Sequence, residues 1–191
     1  PFAEGAGATF KVVPPDVPGF QIKLPAVEEM LTENTVAIIL NSPNNPSGVV
    51  YTTETLEALA ALLTKKSEQY GHPIYIVADE PYRELAYGVE VPFIPNLYSN
   101  TIVCYSYSKS LSLPGQRIGY VLVPSEVEDF GLVYAAIAGA GRALGYVCAP
   151  TLFQLVAARC AGQTADISIY KRNRDILLDA LREMGYTCAQ P

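Results

Sequence analysis

Three short apolar runs constrain this chain most: Val36-Ala37-Ile38-Ile39-Leu40, Ile74-Tyr75-Ile76-Val77-Ala78 and Ile102-Val103-Cys104-Tyr105. Each is about a strand long and almost free of polar residues, the pattern of a strand covered on both faces. Between the first two lies a stretch of helical period. Thr53 begins it, Leu56, Leu59, Ala60 and Leu63 fall on one face, Glu54 and Glu57 suit its first turn, and Gly71 ends it. This order predicts an α/β fold with a mainly parallel, mixed sheet flanked by helices. A further strand is expected over residues 117–123. The loop before it, residues 114–117, is too short for a helical crossover, so that strand runs antiparallel or pairs elsewhere in the sheet. Residues 10–13 read as a strand closed by Pro14-Pro15. Helices are expected over residues 24–32, 125–144, 151–159 and 164–184. The last carries a stripe of Ile167, Tyr170, Leu177, Leu181 and Met184, with Gly185 as its stop.

Composition narrows the function. Of 191 residues, 50% are hydrophobic and 17% charged, which is globular and large enough for a real core. The net charge of −6 argues against a nucleic-acid partner, since phosphate binding needs a basic face. No apolar run reaches the length of a membrane span, and no signal-peptide pattern opens the chain. The four cysteines, Cys104, Cys148, Cys160 and Cys188, form no CxxC pair, and there is one histidine, so a zinc site is not expected. They read as reduced cytoplasmic thiols, with Cys104 in the core. His72, in Tyr70-Gly71-His72-Pro73, reads as a surface turn residue.

Ligands of an open parallel sheet collect beyond the carboxyl ends of its strands. Asn45, Asp79 and Lys109 each follow such an end, so one rim can present all three to one ligand. Lys109 stands out. Ser106 and Ser108 lie three and one residues before it, and Arg117 lies eight after. Desolvation and a neighbouring cation both disfavour an ammonium, which frees the amine as a nucleophile. The hydroxyls and the planar fork of Arg117 suit a phosphate. Together they suit an amine that meets an aldehyde beside a phosphate.

The run from Ser106 to Gly119, Ser-Tyr-Ser-Lys-Ser-Leu-Ser-Leu-Pro-Gly-Gln-Arg-Ile-Gly, resembles the lysine signature of class I/II aminotransferases, the aspartate aminotransferase-like fold-type I pyridoxal-phosphate enzymes. Asn44-Asn45-Pro46-Ser47-Gly48 is similar to that family's Asn-Pro-(Thr/Ser)-Gly turn, and Asp79-Glu80-Pro81-Tyr82 to its Asp-Glu-x-Tyr segment. The resemblance implies a pyridoxal 5′-phosphate site. Lys109 would carry the cofactor as a Schiff base and act as general acid and base. Asp79 would pair with the pyridine nitrogen, Asn45 and Tyr82 with the ring's phenolic oxygen, and Ser106, Ser108 and Arg117 with the phosphate. Glu80 is left structural. The Asn45–Pro46 bond is expected to be cis.

The same resemblance implies a cytoplasmic homodimer acting on an amino acid and a 2-oxo acid. It divides the chain into a large cofactor domain over residues 1–163, partial at its N-terminal side, and a linking helix with the start of a small domain over residues 164–191. The family's ring-stacking aromatic falls near Pro1-Phe2-Ala3, where Phe2 is a weak candidate. Its glycine/serine phosphate loop and its carboxylate-binding arginine fall outside the sequence, so this segment alone is expected to be an incomplete enzyme. Three alternatives remain open on these residues. One is elimination chemistry on the same scaffold, as in C–S lyases and cyclopropane-forming synthases. The second is a ligand-sensing domain of a transcriptional regulator. The third is a fragment that folds but holds cofactor poorly.

Overall fold

The computed structural model describes residues 2–191; Pro1 and the Phe2 side chain lie outside that description, and with them the candidate stacking aromatic. The helices are α1 (Phe2–Gly5), α2 (Leu24–Met30), α3 (Thr53–Tyr70), α4 (Tyr107–Ser110), α5 (Phe130–Ala143), α6 (Thr151–Arg159) and α7 (Ser168–Glu183). The strands are β1 (Ala37–Asn41), β2 (Tyr75–Asp79), β3 (Thr101–Ser106) and β4 (Gly119–Leu122). They form one four-stranded sheet in the order β1-β2-β3-β4. The first two pairings are parallel and the last is antiparallel, which resolves the direction left open for the final strand.

The helix α3 decides which face of the sheet is core. Thr52 caps it, its hydroxyl accepting the Thr55 N–H at 3.2 Å, and Gly71 ends it in the left-handed region at φ 76°. Its stripe of Leu56, Leu59, Ala60 and Leu63 is buried. It meets Ile76, Ala78 and Val103 from the sheet and Val27 from α2 in one apolar cluster. Leu59 and Leu63 are fully enclosed.

Strand side chains alternate, so residues on either side of Ala78 face away from this core. In register, Asn41 stands beside Asp79, Asp79 beside Cys104, and Cys104 beside Val121. Asp79 thus sits on the face opposite α3, at the carboxyl end of the parallel strands. Cys104 shares that row and is half-buried, which corrects its reading as a core residue.

Other expectations shift. Residues 10–13 form no strand; Phe10 and Val12 are 53% and 69% exposed, because no partner strand takes up their backbone groups. The helix expected from residue 125 starts at Phe130, after a turn in which Val127 N–H donates to the Pro124 carbonyl and Asp129 is left-handed at φ 55°. The stripe of α7 is present, yet Tyr170, Leu177 and Met184 lie in solvent and Leu178 is its buried residue. The helix α5 has no buried residue within the described chain.

His72 is more than a turn residue. Its Nε2 lies 2.8 Å from the Glu33 carbonyl and its Nδ1 3.1 Å from the Pro73 carbonyl. A neutral imidazole donates from one nitrogen; only the imidazolium satisfies both acceptors. The Glu33 carbonyl, and then that of Pro73, therefore raise its pKa above the ordinary value. A raised folded-state pKa gives stability that is fully present below the unfolded value of about 6.5 and is lost as pH rises through the folded value. Denaturant titrations across that window should show stability falling with rising pH. Because His72 is the sole histidine, His72→Ala should remove that histidine-linked step.

Candidate active site

The site is built from three strand ends. After β1 the chain turns through Ser42–Gly48, with cis bonds at Ser42–Pro43 and Asn45–Pro46. Side chains hold this turn from within. Asn44 Oδ1 accepts Ser47 N–H at 3.1 Å and the Ser47 hydroxyl at 2.8 Å, and Ser42 Oγ accepts Tyr51 N–H at 3.1 Å. Asn45 is thereby carried out over the rim, where its Nδ2 donates to the Tyr82 hydroxyl at 3.1 Å.

Asp79 ends β2. Burial raises its pKa, and a hydrogen bond from Asn41 opposes that rise. Asn41 Nδ2 donates to Asp79 Oδ2 at 3.1 Å and to the Asp79 carbonyl at 3.0 Å. Glu80, the next residue, turns to the other face and is 2% exposed. Its charge is met by Arg83, whose Nε donates to Oε2 at 2.8 Å. The same guanidinium donates to the Val91 and Pro92 carbonyls at 2.9 Å each. Glu80 and Arg83 thus brace the turn that carries Tyr82.

Lys109 follows β3 inside the short α4. Ser106 caps that turn, its Oγ accepting Ser108 N–H at 3.2 Å and lying 2.8 Å from Ser108 Oγ. Lys109 is exposed, and its ammonium lies 5.7 Å from the centroid of the Tyr82 ring. Arg117 takes a left-handed conformation at φ 51° and donates from Nη1 to the Pro114 carbonyl at 2.9 Å. Asn45, Tyr82 and Lys109 are therefore brought together, with Asp79 beside Asn45 through Asn41. Ser106 and Ser108 are paired at the base of Lys109, while the Arg117 guanidinium is turned to its own loop.

A cavity of about 340 Å³ opens beside Asn45 and Tyr82, walled in part by Pro43, Tyr87, Arg174 and Pro191. Arg174 lies 4.7 Å over the Tyr87 ring, donates from Nε and Nη2 to Asp175 at 2.9 and 2.6 Å, and from Nη1 to the Pro191 carbonyl at 2.8 Å. Each of its three nitrogens thus already donates one hydrogen bond within the protein.

Residues 1–191 match the aminotransferase class I and II family. The chain belongs to that family. It is 31% identical, over 196 residues, to an aspartate/prephenate aminotransferase of Thermus thermophilus, covering 100% of this chain and 48% of the relative. It is 30% identical over 192 residues to an aspartate aminotransferase of Thermotoga maritima, with 97% and 48% covered. Among solved structures, an amino transferase of Eubacterium rectale aligns with a TM-score of 0.97 and 57% identity over 100% of this chain and 48% of that one. A mutant of Thermus thermophilus aspartate aminotransferase aligns at 0.74 and 27%, covering 91% and 44%. The chain thus spans about half the length of the curated relatives it matches.

Class I and II aminotransferases use pyridoxal phosphate. The donor set on this rim fits such a group. One carboxylate is partly desolvated and has an oxygen not engaged by Asn41, two neutral donors sit 3.1 Å apart, and an amine lies 5.7 Å from the centroid of the Tyr82 ring. Paired hydroxyls lie at the foot of the lysine. Asn41 was not singled out from the sequence. Its signal was there: it ends an apolar strand four residues before Asn45, where a polar side chain can reach both the neighbouring strand and the turn.

Gly119 controls how closely β4 approaches the lysine segment. It pairs with Ser106, and a Cβ there would collide with the Tyr105 carbonyl and come within 3.2 Å of Ser106 Cα. Gly119→Ala should force β4 away from the end of β3 and cost about 1–3 kcal/mol, readable in denaturant unfolding.

Proposed function

We propose that the whole protein is a pyridoxal-phosphate-dependent aminotransferase, exchanging an amino group between an amino acid and a 2-oxo acid, and that this chain supplies its cofactor-holding centre. The observation that carries the reading is the meeting of Asn45, Tyr82 and Lys109 beside Asp79, from three separate strand ends. Pyridoxal phosphate, when bound, supplies an electron sink for the carbanion at the substrate Cα.

The chain's own residues then have defined tasks. Lys109 Nζ attaches the cofactor and afterwards moves the proton at the substrate Cα. Asp79, held at Oδ2 by Asn41, offers its other oxygen to the protonated ring nitrogen; a partly desolvated carboxylate gains most from a cationic partner. Tyr82 accepts a hydrogen bond from Asn45, so its own O–H is free to donate to the ring's phenolic oxygen, with the second Asn45 N–H beside it. Ser106, Ser108 and, after a turn of its side chain away from Pro114, Arg117 hold the phosphate.

The names of the relatives favour transamination over elimination, since those compared are aminotransferases. Residues 1–163 are read as part of the large domain, and residues 164–191 as the linking helix and the start of a small one. A homodimer is proposed for the whole protein, supported by the apolar residues that α5 and α7 leave in solvent, such as Leu132, Tyr134 and Leu177. A cytoplasmic setting agrees with free cysteines at 104, 148, 160 and 188; no helix among the described residues is long and apolar enough to cross a membrane.

Borohydride reduction of the cofactor-loaded protein, followed by peptide mapping, should place a pyridoxyl group on Lys109. A label on Lys65, Lys66 or Lys171 would sink the assignment. Asp79→Asn should keep the fold yet lower turnover by about 100-fold or more, the scale seen when one preorganised electrostatic partner is removed. Turnover close to wild type in that variant would count decisively against the role given to Asp79.

A further inference from the structure

We propose that Asn41 is the positioning residue of this site, its single side-chain amide holding both Asp79 and Asn45 in working orientation. The inference rests on the reading that Asp79 serves a ring nitrogen and Asn45 a ring oxygen. Asn41 is the last residue of β1 and stands in register with Asp79. Both protons of its Nδ2 are engaged by one neighbour, at the Asp79 carbonyl (3.0 Å) and at Asp79 Oδ2 (3.1 Å). Its Oδ1 accepts the Asn45 N–H at 2.7 Å. The orientation of the amide is thereby fixed. A flip would set Oδ1 against two oxygens and Nδ2 against an N–H, so no flipped form satisfies the same partners.

Two consequences follow. Asn41 takes one carboxylate oxygen and leaves the other as the acceptor for a ring nitrogen, so the carboxylate cannot rotate without breaking a bond. A hydrogen bond to the charged form also opposes the upward push of burial on Asp79. At the same time the Asn45 backbone is anchored to the end of β1, which fixes where its side chain starts towards Tyr82. The two cofactor ligands, one at the end of β2 and one in the turn after β1, are spaced by one amide between them. A purely local role is the competing account: Asn41 would merely close the turn after β1. That account predicts lost stability with no change in the chemistry of Asp79.

The test uses the whole protein with Asn41→Asp and Asn41→Ala. Asn41→Asp keeps the side-chain size and an acceptor for Asn45 N–H, but removes both donors to Asp79 and adds a like charge. In cofactor-free protein, the Asp79 carboxyl carbon followed by 13C NMR should titrate at higher pH in both variants than in wild type, most in Asn41→Asp. Cofactor should be held about tenfold more weakly, the factor equivalent to about 1.4 kcal/mol. On an Asp79→Asn background, Asn41→Ala should weaken cofactor binding by less than it does alone, because the carboxylate it serves is gone. An unchanged Asp79 titration in a folded variant overturns the proposal, whether or not stability falls; so do fully additive losses in the double variant. A wild-type protein that takes up no cofactor at Lys109 would instead defeat the functional reading, and the carboxyl titration would still report on Asn41.

Discussion

The packing of α3 against β1, β2 and β3 is the constraint on which the rest depends. Leu56, Leu59 and Leu63 need an apolar floor, and Ile76, Ala78 and Val103 provide it. Burying a side chain such as Leu59 is worth about 1.5–3 kcal/mol, and several such residues act together here. Once that face is core, side-chain alternation leaves no freedom in what the other face displays. Asn41, Asp79 and Cys104 must lie in one row across the sheet, at the end where the parallel strands deliver their loops. The chemistry of the rim is thus a consequence of the chemistry of the core.

The loops convert that row into a site by spending polar groups on one another. Asn44, Ser47 and Ser42 stiffen the turn that presents Asn45. Glu80 and Arg83 stiffen the turn that presents Tyr82, and the guanidinium also gathers the Val91 and Pro92 carbonyls and lies 5.6 Å over the Phe93 ring. Beneath Lys109, the Tyr105 hydroxyl donates to Ser110 Oγ at 2.8 Å, and the Tyr105 and Tyr120 rings stack at 5.0 Å. Burial pushes the Tyr105 phenol well above its ordinary range, so it acts as a neutral donor at the base of α4. Buried polar groups that are satisfied by each other hold one geometry, and geometry is what a ligand-binding rim requires.

Much of this was legible in the residues. The apolar runs gave β1, β2 and β3 to within a residue or so, although the cover expected on both faces is found only on the α3 side: on the other, Val77 and Cys104 are half-buried and Ile39 is 57% exposed. The stripe and caps of α3 were equally plain. Residues 10–13 were misread because a short apolar run becomes a strand only if a neighbour accepts its hydrogen bonds, and sequence does not name the neighbour. The stripe read on α7 is not its buried face: a stripe does not say what it packs against, and here Tyr170, Leu177 and Met184 meet solvent while Leu178, outside the stripe, is buried. At the rim, Asn45 and Tyr82 stand 37 residues apart and were singled out by motif, while the bond between them depends on how the ends of β1 and β2 meet in space. Asn41 was missed for a different reason. Its importance lies in joining two partners: Asn45 is four residues on, but Asp79 is set by register rather than by local spacing. The same holds for Cys104, whose neighbour across the strands is Asp79.

Register is enforced from both faces of β2. A slip of one residue would exchange Ala78 and Asp79 between the two sides of the sheet. The carboxylate would then enter the cluster of Leu59, Leu63 and Val103, where it has no donor, and an unpaired buried charge costs several kcal/mol. Asn41 would lose its partner in the same step, leaving two polar protons and a carbonyl to find others. Glu80 would move to the open side, away from Arg83, and the turn bearing Tyr82 would lose its brace. The residues that suit the rim for chemistry are therefore the ones that make the misregistered sheet expensive. Function and strand pairing are specified by the same three side chains, Asn41, Asp79 and Glu80.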